Sequence, residues 1–364
     1  MRFLSRKLFK WLLLWLGVVS ASACVIFSQH NSPYYQANQS PPHHTPTGFQ
    51  NSDAKRPIKN LWDVLIWRIT RVTPALPDPP IPTAQPNWSA AKPNATWIGH
   101  ATMVVQLAEL TIMTDPQFSE RASPVSWAGP KRLQPPAASV TQLPAIDVVV
   151  ISHNHYDHLD EASVLALYQR YGDKLLFVVP LGVKAWFVER GIQSVVELDW
   201  WQSHHVKGAD IYLTPAYHWS SRSLFDRRDT LWGGFAVFAP SYQLYYSGDT
   251  GYSDDFKAIR AHFAARQETA ARGEFDLALL PIGCYEPRNF MGDNHVNPAE
   301  AVQIFQDVGV KQALGVHWGT FIGLCDEPLD QAPKDLAQAR QKAGLTEKQF
   351  DVMAIGETRL LTPR

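Results

Sequence analysis

His153, His155, Asp157 and His158 fall within six residues, in the run Ser152-His-Asn-His-Tyr-Asp-His158. Imidazole and carboxylate are the donors that borderline divalent metals such as zinc prefer, and one loop can fold four of them around a point. Residues 148–151, Val-Val-Val-Ile, precede them and read as a buried strand. Surface loops also collect His and Asp, but four such groups directly behind a strand fit the floor of a metal site better. His218, Asp249 and His317 each lie just beyond another predicted strand, at residues 210–213, 244–247 and 313–316. Loops at one edge of packed sheets converge, so these seven residues could close one site. Two metals need about this many protein ligands if each keeps a position for water or substrate.

The elements that must position them follow from the pattern around them. Residues 95–98, 103–107 and 110–114 read as strands before the metal run, the last ending in Asp115-Pro116. Asp160 can cap a helix that runs to about Tyr171 and stops at Gly172. Strands are expected at 175–179 and 194–198, with a helical stretch between them at 183–190. An antiparallel pair is expected at 234–238 and 244–247, and a further strand at 275–281. Asn297-Pro-Ala-Glu300 is a helix start with a cap, Pro in the first turn and Glu at the third position. Residues 119–136 read as an excursion loop whose Arg121, Lys131, Arg132 and Trp127 would suit an anionic head group, although a solvated loop is the commoner case. His204 and His205 read as surface residues, and His43 and His44 as solvated linker residues.

An apolar fraction of 45% with 18% charged residues describes a globular chain with a sizeable core. A formal net charge of −1 argues against a nucleic-acid binder that relies on overall basicity. Among the three cysteines no CxxC pair occurs, so a thiolate zinc cluster is not supported. Cys284 and Cys325 could pair in an oxidising compartment, and the sequence leaves that open. Basic residues Arg2, Arg6, Lys7 and Lys10 flank an apolar stretch from about Leu8 to Phe27. That is the layout of a signal peptide or membrane anchor, with Ala21-Ser22-Ala23 as a cleavage site and Cys24 as a lipoprotein alternative. The expected division is therefore 1–27 signal or anchor, 28–86 linker, and 87–364 catalytic domain. Within the linker, residues 60–71 could form a short helix with Trp62, Leu65, Ile66 and Ile69 on one face. It either packs on the domain or lies in a membrane interface.

The order His-x-His-x-Asp-His, then His, Asp and His, resembles the metallo-β-lactamase superfamily, whose fold is an α/β four-layer αββα sandwich with metals at one edge of the sheets. Longer motifs narrow the match. Thr96-Trp-Ile-Gly-His-Ala-Thr102, Arg121-Ala-Ser-Pro124, Gly129-Pro-Lys-Arg132, Leu198-Asp-Trp-Trp201 and Gly248-Asp-Thr-Gly-Tyr252 resemble the N-acylphosphatidylethanolamine-hydrolysing phospholipase D family. So do Ile282-Gly-Cys-Tyr-Glu-Pro-Arg288, His295-Val-Asn-Pro298 and His317-Trp-Gly-Thr320. The resemblance spans residues 87–335. It departs from the family pattern at Cys284 and after Thr320, which bears on lipid preference more than on metal chemistry.

This resemblance implies that His153, His155 and His218 hold one zinc, that Asp157, His158 and His317 hold a second, and that Asp249 bridges them. It puts His295 beside the site, binding or orienting the phosphodiester, and His100 near the metals. Two Zn2+ are expected, with iron or manganese as alternatives. Two cations lower the pKa of a shared water and so supply hydroxide without a protein nucleophile, with Asp157 and Asp249 positioning the reactants. The implied reaction cleaves a membrane phospholipid to phosphatidic acid and N-acylethanolamine. The alternatives are a metal-dependent lactonase or other ester hydrolase of the same fold, and a non-enzymatic membrane-tethered metal-binding protein. An exported, membrane-associated enzyme is expected; in a bacterium it would face the periplasm at the inner membrane or be a lipoprotein. Oligomeric state is left open, a homodimer included.

Overall fold

A computed structural model describes residues 31–53, 61–223, 225–267 and 274–362. The expected signal or anchor at 1–27 lies outside them. Among the described residues no helix is long and apolar enough to cross a membrane. The chain divides into two compact units, one ending at Gly48 and one from Phe49 onward. In the first, residues 31–48 are folded into turns: Ser40 Oγ donates to the Tyr34 carbonyl at 3.2 Å, and the His44 ring meets that same carbonyl at 2.9 Å. His44 is thus part of a folded segment rather than a solvated linker.

Two seven-stranded mixed sheets form the second unit. The first runs Thr358–Leu360, Asn94–Gly99, Thr102–Gln106, Thr111–Thr114, Val148–Val150, Leu176–Pro180, Val195–Leu198. Its first four strands pair antiparallel (Thr96 opposite Thr358 and Val104) and the remainder parallel (Val148 opposite Ile112 and Leu176). The second runs Ser203–Val206, Ala209–Thr214, Gly234–Phe238, Gln243–Tyr246, Phe275–Pro281, Val310–Val316, Phe350–Val352, and switches from antiparallel to parallel at Gln243–Tyr246.

Strands such as Asn94–Gly99 and Phe275–Pro281 are buried at every residue, as strands covered on both faces must be. One face of each sheet meets helices. Glu161–Tyr171 and Lys184–Val188 cover the first, where Val164, Leu167 and Phe187 pack with Val149, Ile151 and Phe177. Helices Asp255–Gln267, Pro298–Val308 and Gln331–Lys342 belong to the second. This is the expected four-layer αββα sandwich. The predicted caps form: Asp160 accepts from the Ser163 N–H, and Asn297 and Glu300 complete a capping box.

The stretch assigned to a linker, 28–86, is more than a spacer once past Gly48. Asn51 is buried, and its Oδ1 accepts both the His218 N–H and the Trp232 indole N–H at 3.0 Å. Ile81 is buried, and Ala84 N–H bonds the Ile355 carbonyl. Pro-rich composition hid these contacts because they are single side chains and isolated backbone bonds without periodicity. Leu61–Thr70 is the expected helix. Its Trp67 stacks on Phe290 with ring centroids 5.1 Å apart and donates to Asp326, while Arg71 donates to the Gly323 carbonyl at 2.8 Å. Trp62, Ile66 and Ile69, one face at i, i+4 and i+7, stay exposed. The helix thus packs on the domain through one face and leaves an apolar face outside.

Asn51→Ala leaves the buried His218 N–H without its acceptor, while the Trp232 indole keeps the Ala216 carbonyl, so it should cost about 1–3 kcal/mol of stability. The readout is a lower denaturant midpoint at unchanged slope. Asn51→Asp, which keeps an acceptor, should recover most of the loss. An unchanged midpoint for the alanine variant would show that Asn51 is not a structural tie.

Candidate metal centre

The run at 152–160 leaves its strand and turns at once: His158 N–H and Leu159 N–H both bond the His155 carbonyl. Arg222 clamps this turn by donating to the Asn154 and Leu159 carbonyls at 2.8 and 2.7 Å. The remaining candidates arrive on loops beyond strands of the second sheet. Gly248, at φ +62°, lies so close to Ser152 that an added Cβ would meet the Ser152 Cβ at 2.6 Å. Only glycine lets the Asp249 loop press against the His153 loop. His317, at φ +61°, is held by its N–H on the His100 carbonyl at 3.0 Å.

Two clusters result. His153 Nε2 lies 2.7 Å from His155 Nδ1, which lies 3.3 Å from His218 Nε2. In the second cluster, Asp157 Oδ2 sits 3.3 Å from both His158 Nε2 and His317 Nε2. Asp249 Oδ2 lies between the clusters, 3.1 Å from His158 Nε2, 3.2 Å from His317 Nε2 and 4.0 Å from His218 Nε2. All seven expected residues therefore meet at one place. His295 stands beside them, its Nδ1 at 3.8 Å from Asp249 Oδ2.

The donor chemistry fits cations. His218 Nδ1 faces the Asn294 carbonyl, an acceptor only, at 3.0 Å, so that nitrogen carries the proton and Nε2 points a lone pair into its cluster. His158 Nδ1 likewise faces Asp115 Oδ2 at 2.6 Å. Among the described residues, His155 Nε2, Asp249 Oδ1 and His295 Nδ1 are buried with no hydrogen-bond partner. Burial holds His153 and His218 well below the ordinary imidazole range, so both are neutral donors of electron pairs. Burial alone would lower His317 too, but Asp249 and Asp157 outweigh it and lift it to about 9. Asp249 and Asp157 are held well below the carboxylate range despite burial, because His158 and its neighbours favour their charged forms.

Supporting residues complete the centre. His100 Nε2 meets Asp157 Oδ2 at 3.0 Å, so its hydrogen bond and its nearness to the clusters are one and the same. Burial, then His317, push His100 down to about 3. Asp115, read from sequence only as a strand end, is a hub: buried at φ +31°, it takes His158 Nδ1, the Ser152 N–H at 2.7 Å and the Tyr246 hydroxyl. Its signal was present, since it too is an acid directly after a strand. Cys284 and Cys325 are joined in a disulfide, with Cα atoms 5.0 Å apart. His205 is exposed and pairs with Asp210 at 2.7 Å, away from the centre.

A cleft of about 630 Å³ opens over Asp157, Asp249 and His295. Helix Leu61–Thr70 supplies one wall through Val64 and Trp67, and Phe290, Met291 and Leu324 add apolar surface. The bases of the 119–136 loop do not serve it. Arg121 donates to the Ser126 and Gly129 carbonyls, Lys131 pairs with Glu120, and Arg132 donates to Gln117.

Residues 111–318 match the model of the beta-lactamase superfamily domain. A Caenorhabditis elegans N-acyl-phosphatidylethanolamine-hydrolyzing phospholipase D is 39% identical over 72% of this chain and 74% of its own length. The chain belongs to that family within the metallo-β-lactamase superfamily. A mitochondrial Saccharomyces cerevisiae protein of the same name is 38% identical over 62% of this chain and 47% of its own. An isothiocyanate hydrolase from Delia radicum gut bacteria superposes with a TM-score of 0.56 over 74% of this chain and 99% of its own, at 20% identity. That likeness speaks for the fold. Membership and fold together make the chain a metal-dependent hydrolase.

In the metal-free chain His317 keeps a proton up to about pH 9, which a metal at the second cluster must displace. Metal affinity there should therefore rise from neutral pH toward 9 and level off above it. Stability moves the other way in the metal-free chain, being fully present below the ordinary imidazole pKa and lost as pH climbs through 9. Calorimetric metal titration in buffers of differing ionisation enthalpy should register proton release at pH 7. Metal affinity constant from pH 6.5 to 9 would contradict the assignment.

Proposed function

We propose that this protein is a dinuclear zinc phosphodiesterase that hydrolyses N-acylphosphatidylethanolamine-type phospholipids of a membrane to phosphatidic acid and N-acylethanolamine. The observation that carries the proposal is an apolar-walled cleft that ends on Asp157 and Asp249, the second of which faces both ligand clusters. The first metal would be held by His153, His155 and His218, the second by Asp157, His158 and His317, with Asp249 shared. Such a pair supplies Lewis acidity toward phosphoryl oxygens and a water acidic enough to ionise near neutral pH.

The protein's own groups set up the rest. His100 fixes Asp157 from behind, and Asp115 fixes the ring plane of His158. His295, lowered to about 4 chiefly by burial, is a neutral ring at pH 7 on the edge of the cleft. It can orient a phosphoryl oxygen through one N–H without adding charge. Val64, Trp67, Phe290 and Met291 accommodate acyl chain and exclude bulk water. Hydrolysis puts the oxygen of water on phosphorus, breaks the bond to the head-group oxygen and leaves a proton on the released alcohol. Zinc is favoured by five imidazoles among seven ligands.

Membrane association is part of the same reading. Trp62 and Ile69 are 71% and 74% exposed on the outer face of the helix that walls the cleft, and Trp127 is 79% exposed. A helix with this apolar outer face can rest in an interface and receive a lipid laterally. Export to an oxidising compartment agrees with the Cys284–Cys325 disulfide and with the basic-then-apolar N-terminal sequence.

Zinc-loaded full-length protein on mixed phospholipid vesicles should release phosphatidic acid and N-acylethanolamine in equal amounts by mass spectrometry, lose this on chelation and regain it with zinc. His317→Ala should lose one metal and at least about 100-fold in turnover. Turnover that survives complete chelation, or lactone opening without phosphodiester cleavage, would sink the proposal. The double variant Trp62→Glu, Ile69→Glu should lose about tenfold more rate on vesicles than on detergent micelles. Equal losses on both would refute the interfacial role.

A further inference from the structure

Residues 152–160 carry four of the seven candidate ligands and contain neither helix nor strand, so contacts from outside must fix their shape. Arg222 supplies two of those contacts from the loop between strands Ala209–Thr214 and Gly234–Phe238. Its Nη1 donates to the Asn154 and Leu159 carbonyls at 2.8 and 2.7 Å. Asn154 separates His153 from His155, and Leu159 follows His158, so both ends of the turn are tied to one nitrogen. His218, the remaining ligand of the first cluster, lies four residues before Arg222 on the same loop. One side chain therefore joins the two segments from which that cluster is made.

The guanidinium is held in its turn. Its carbon lies 4.0 Å from the centroid of the Tyr156 ring, and the Tyr156 hydroxyl donates to the Arg222 carbonyl at 2.9 Å. Tyr156 stands between His155 and Asp157, one ligand of each cluster. Asp226 accepts the Arg222 N–H at 3.0 Å and the Ser223 N–H at 2.7 Å, which pins the backbone of the clamp. Behind it the Trp186 ring takes Arg222 at 5.5 Å and Arg190 at 3.9 Å, and Glu161 pairs with Arg190 at 3.0 Å. Bonds to carbonyls together with stacking on rings suit the flat guanidinium; an ammonium keeps the charge and loses the stacking face.

A ligand turn that orders only when metal arrives loses part of its binding free energy to that ordering. The second cluster has ties of its own, from Asp115 to the His158 ring and from His100 to Asp157 and the His317 N–H. We propose that Arg222 is a positioning residue of the metal centre, holding with Tyr156 the 152–160 turn against the His218 segment so that the first cluster is formed before an ion enters. The inference rests on the two-metal reading of the centre and is independent of which lipid is cleaved.

Metal-free full-length protein titrated with Co2+ tests this, since the visible bands of cobalt report its coordination. The wild type should take up two ions. In a His317→Ala background, where only the first cluster is complete, Arg222→Met should weaken Co2+ binding at least about tenfold. In a His218→Ala background, where only the second is complete, the loss should stay below about threefold. Arg222→Lys should recover part of the affinity and the wild-type bands. Near-ultraviolet circular dichroism of the metal-free variants reports their folding. Should Arg222→Met not fold, Tyr156→Leu removes the stacking ring, leaves the carbonyl bonds and should weaken the first cluster at least about threefold.

Unchanged binding in folded variants, or equal losses in the two backgrounds, would overturn the proposal. Uptake of one ion by the wild type would refute the two-metal reading alone. The clamp then stands if Arg222→Met still weakens that ion about tenfold, and falls if it does not. Uptake of none would refute both.

Discussion

One buried carboxylate governs this structure. Asp249 Oδ2 is approached by imidazoles of both clusters, and Asp249 is almost inaccessible to solvent. A carboxylate in such a place costs several kcal/mol unless positive charge is brought to it. The surrounding backbone is bent to that end. His100, Asp115 and His317 all adopt positive φ, a conformation that costs about 1–3 kcal/mol for a residue with a Cβ. Gly248 and Gly283 allow approaches that a side chain would block; a Cβ added at the second would lie 2.3 Å from the His317 carbonyl oxygen. Strain gathered around one anion is the mark of a site whose geometry is fixed for a purpose other than stability.

The cleft above is built from parts that come from far apart in the chain. Helix Leu61–Thr70 is tied down by Trp67 on Phe290 and Asp326, and by Arg71 on Gly323. The loops carrying Gly323 and Phe290 are near the Cys284–Cys325 disulfide in sequence, so the covalent link braces the segment that receives the helix. One side of the helix faces the cleft and the other presents exposed Trp62, Ile66 and Ile69. The cleft wall and the exposed apolar face thus lie on the same ten residues.

The seven residues that converge at the centre were legible because each follows a strand and because imidazole and carboxylate at short spacing suit a metal site. The strands and caps around them were legible for the reason that buried runs and Asn-Pro-x-Glu starts are local signals. What stayed hidden was non-local. Asn51 serves His218 from a segment that composition marks as linker, and Asp115 looks like any strand-ending acid until His158, Ser152 and Tyr246 are seen around it. The bases of the 119–136 loop looked suited to an anion, yet they satisfy carbonyls and acids nearby. Pairing of Cys284 with Cys325 likewise depends on two loops meeting, which spacing alone does not report. Helix Asp255–Gln267 carries Phe256, Ile259 and Phe263 on one buried face, a periodicity diluted by the charged residues between them.

The central claim is a shared carboxylate between two metals. Its most direct test is a crystal of the zinc-loaded protein measured on both sides of the zinc absorption edge. The account predicts two anomalous peaks per chain, one among His153, His155 and His218, one among Asp157, His158 and His317, with Asp249 between them. A single peak, or ions bound without Asp249, would contradict it.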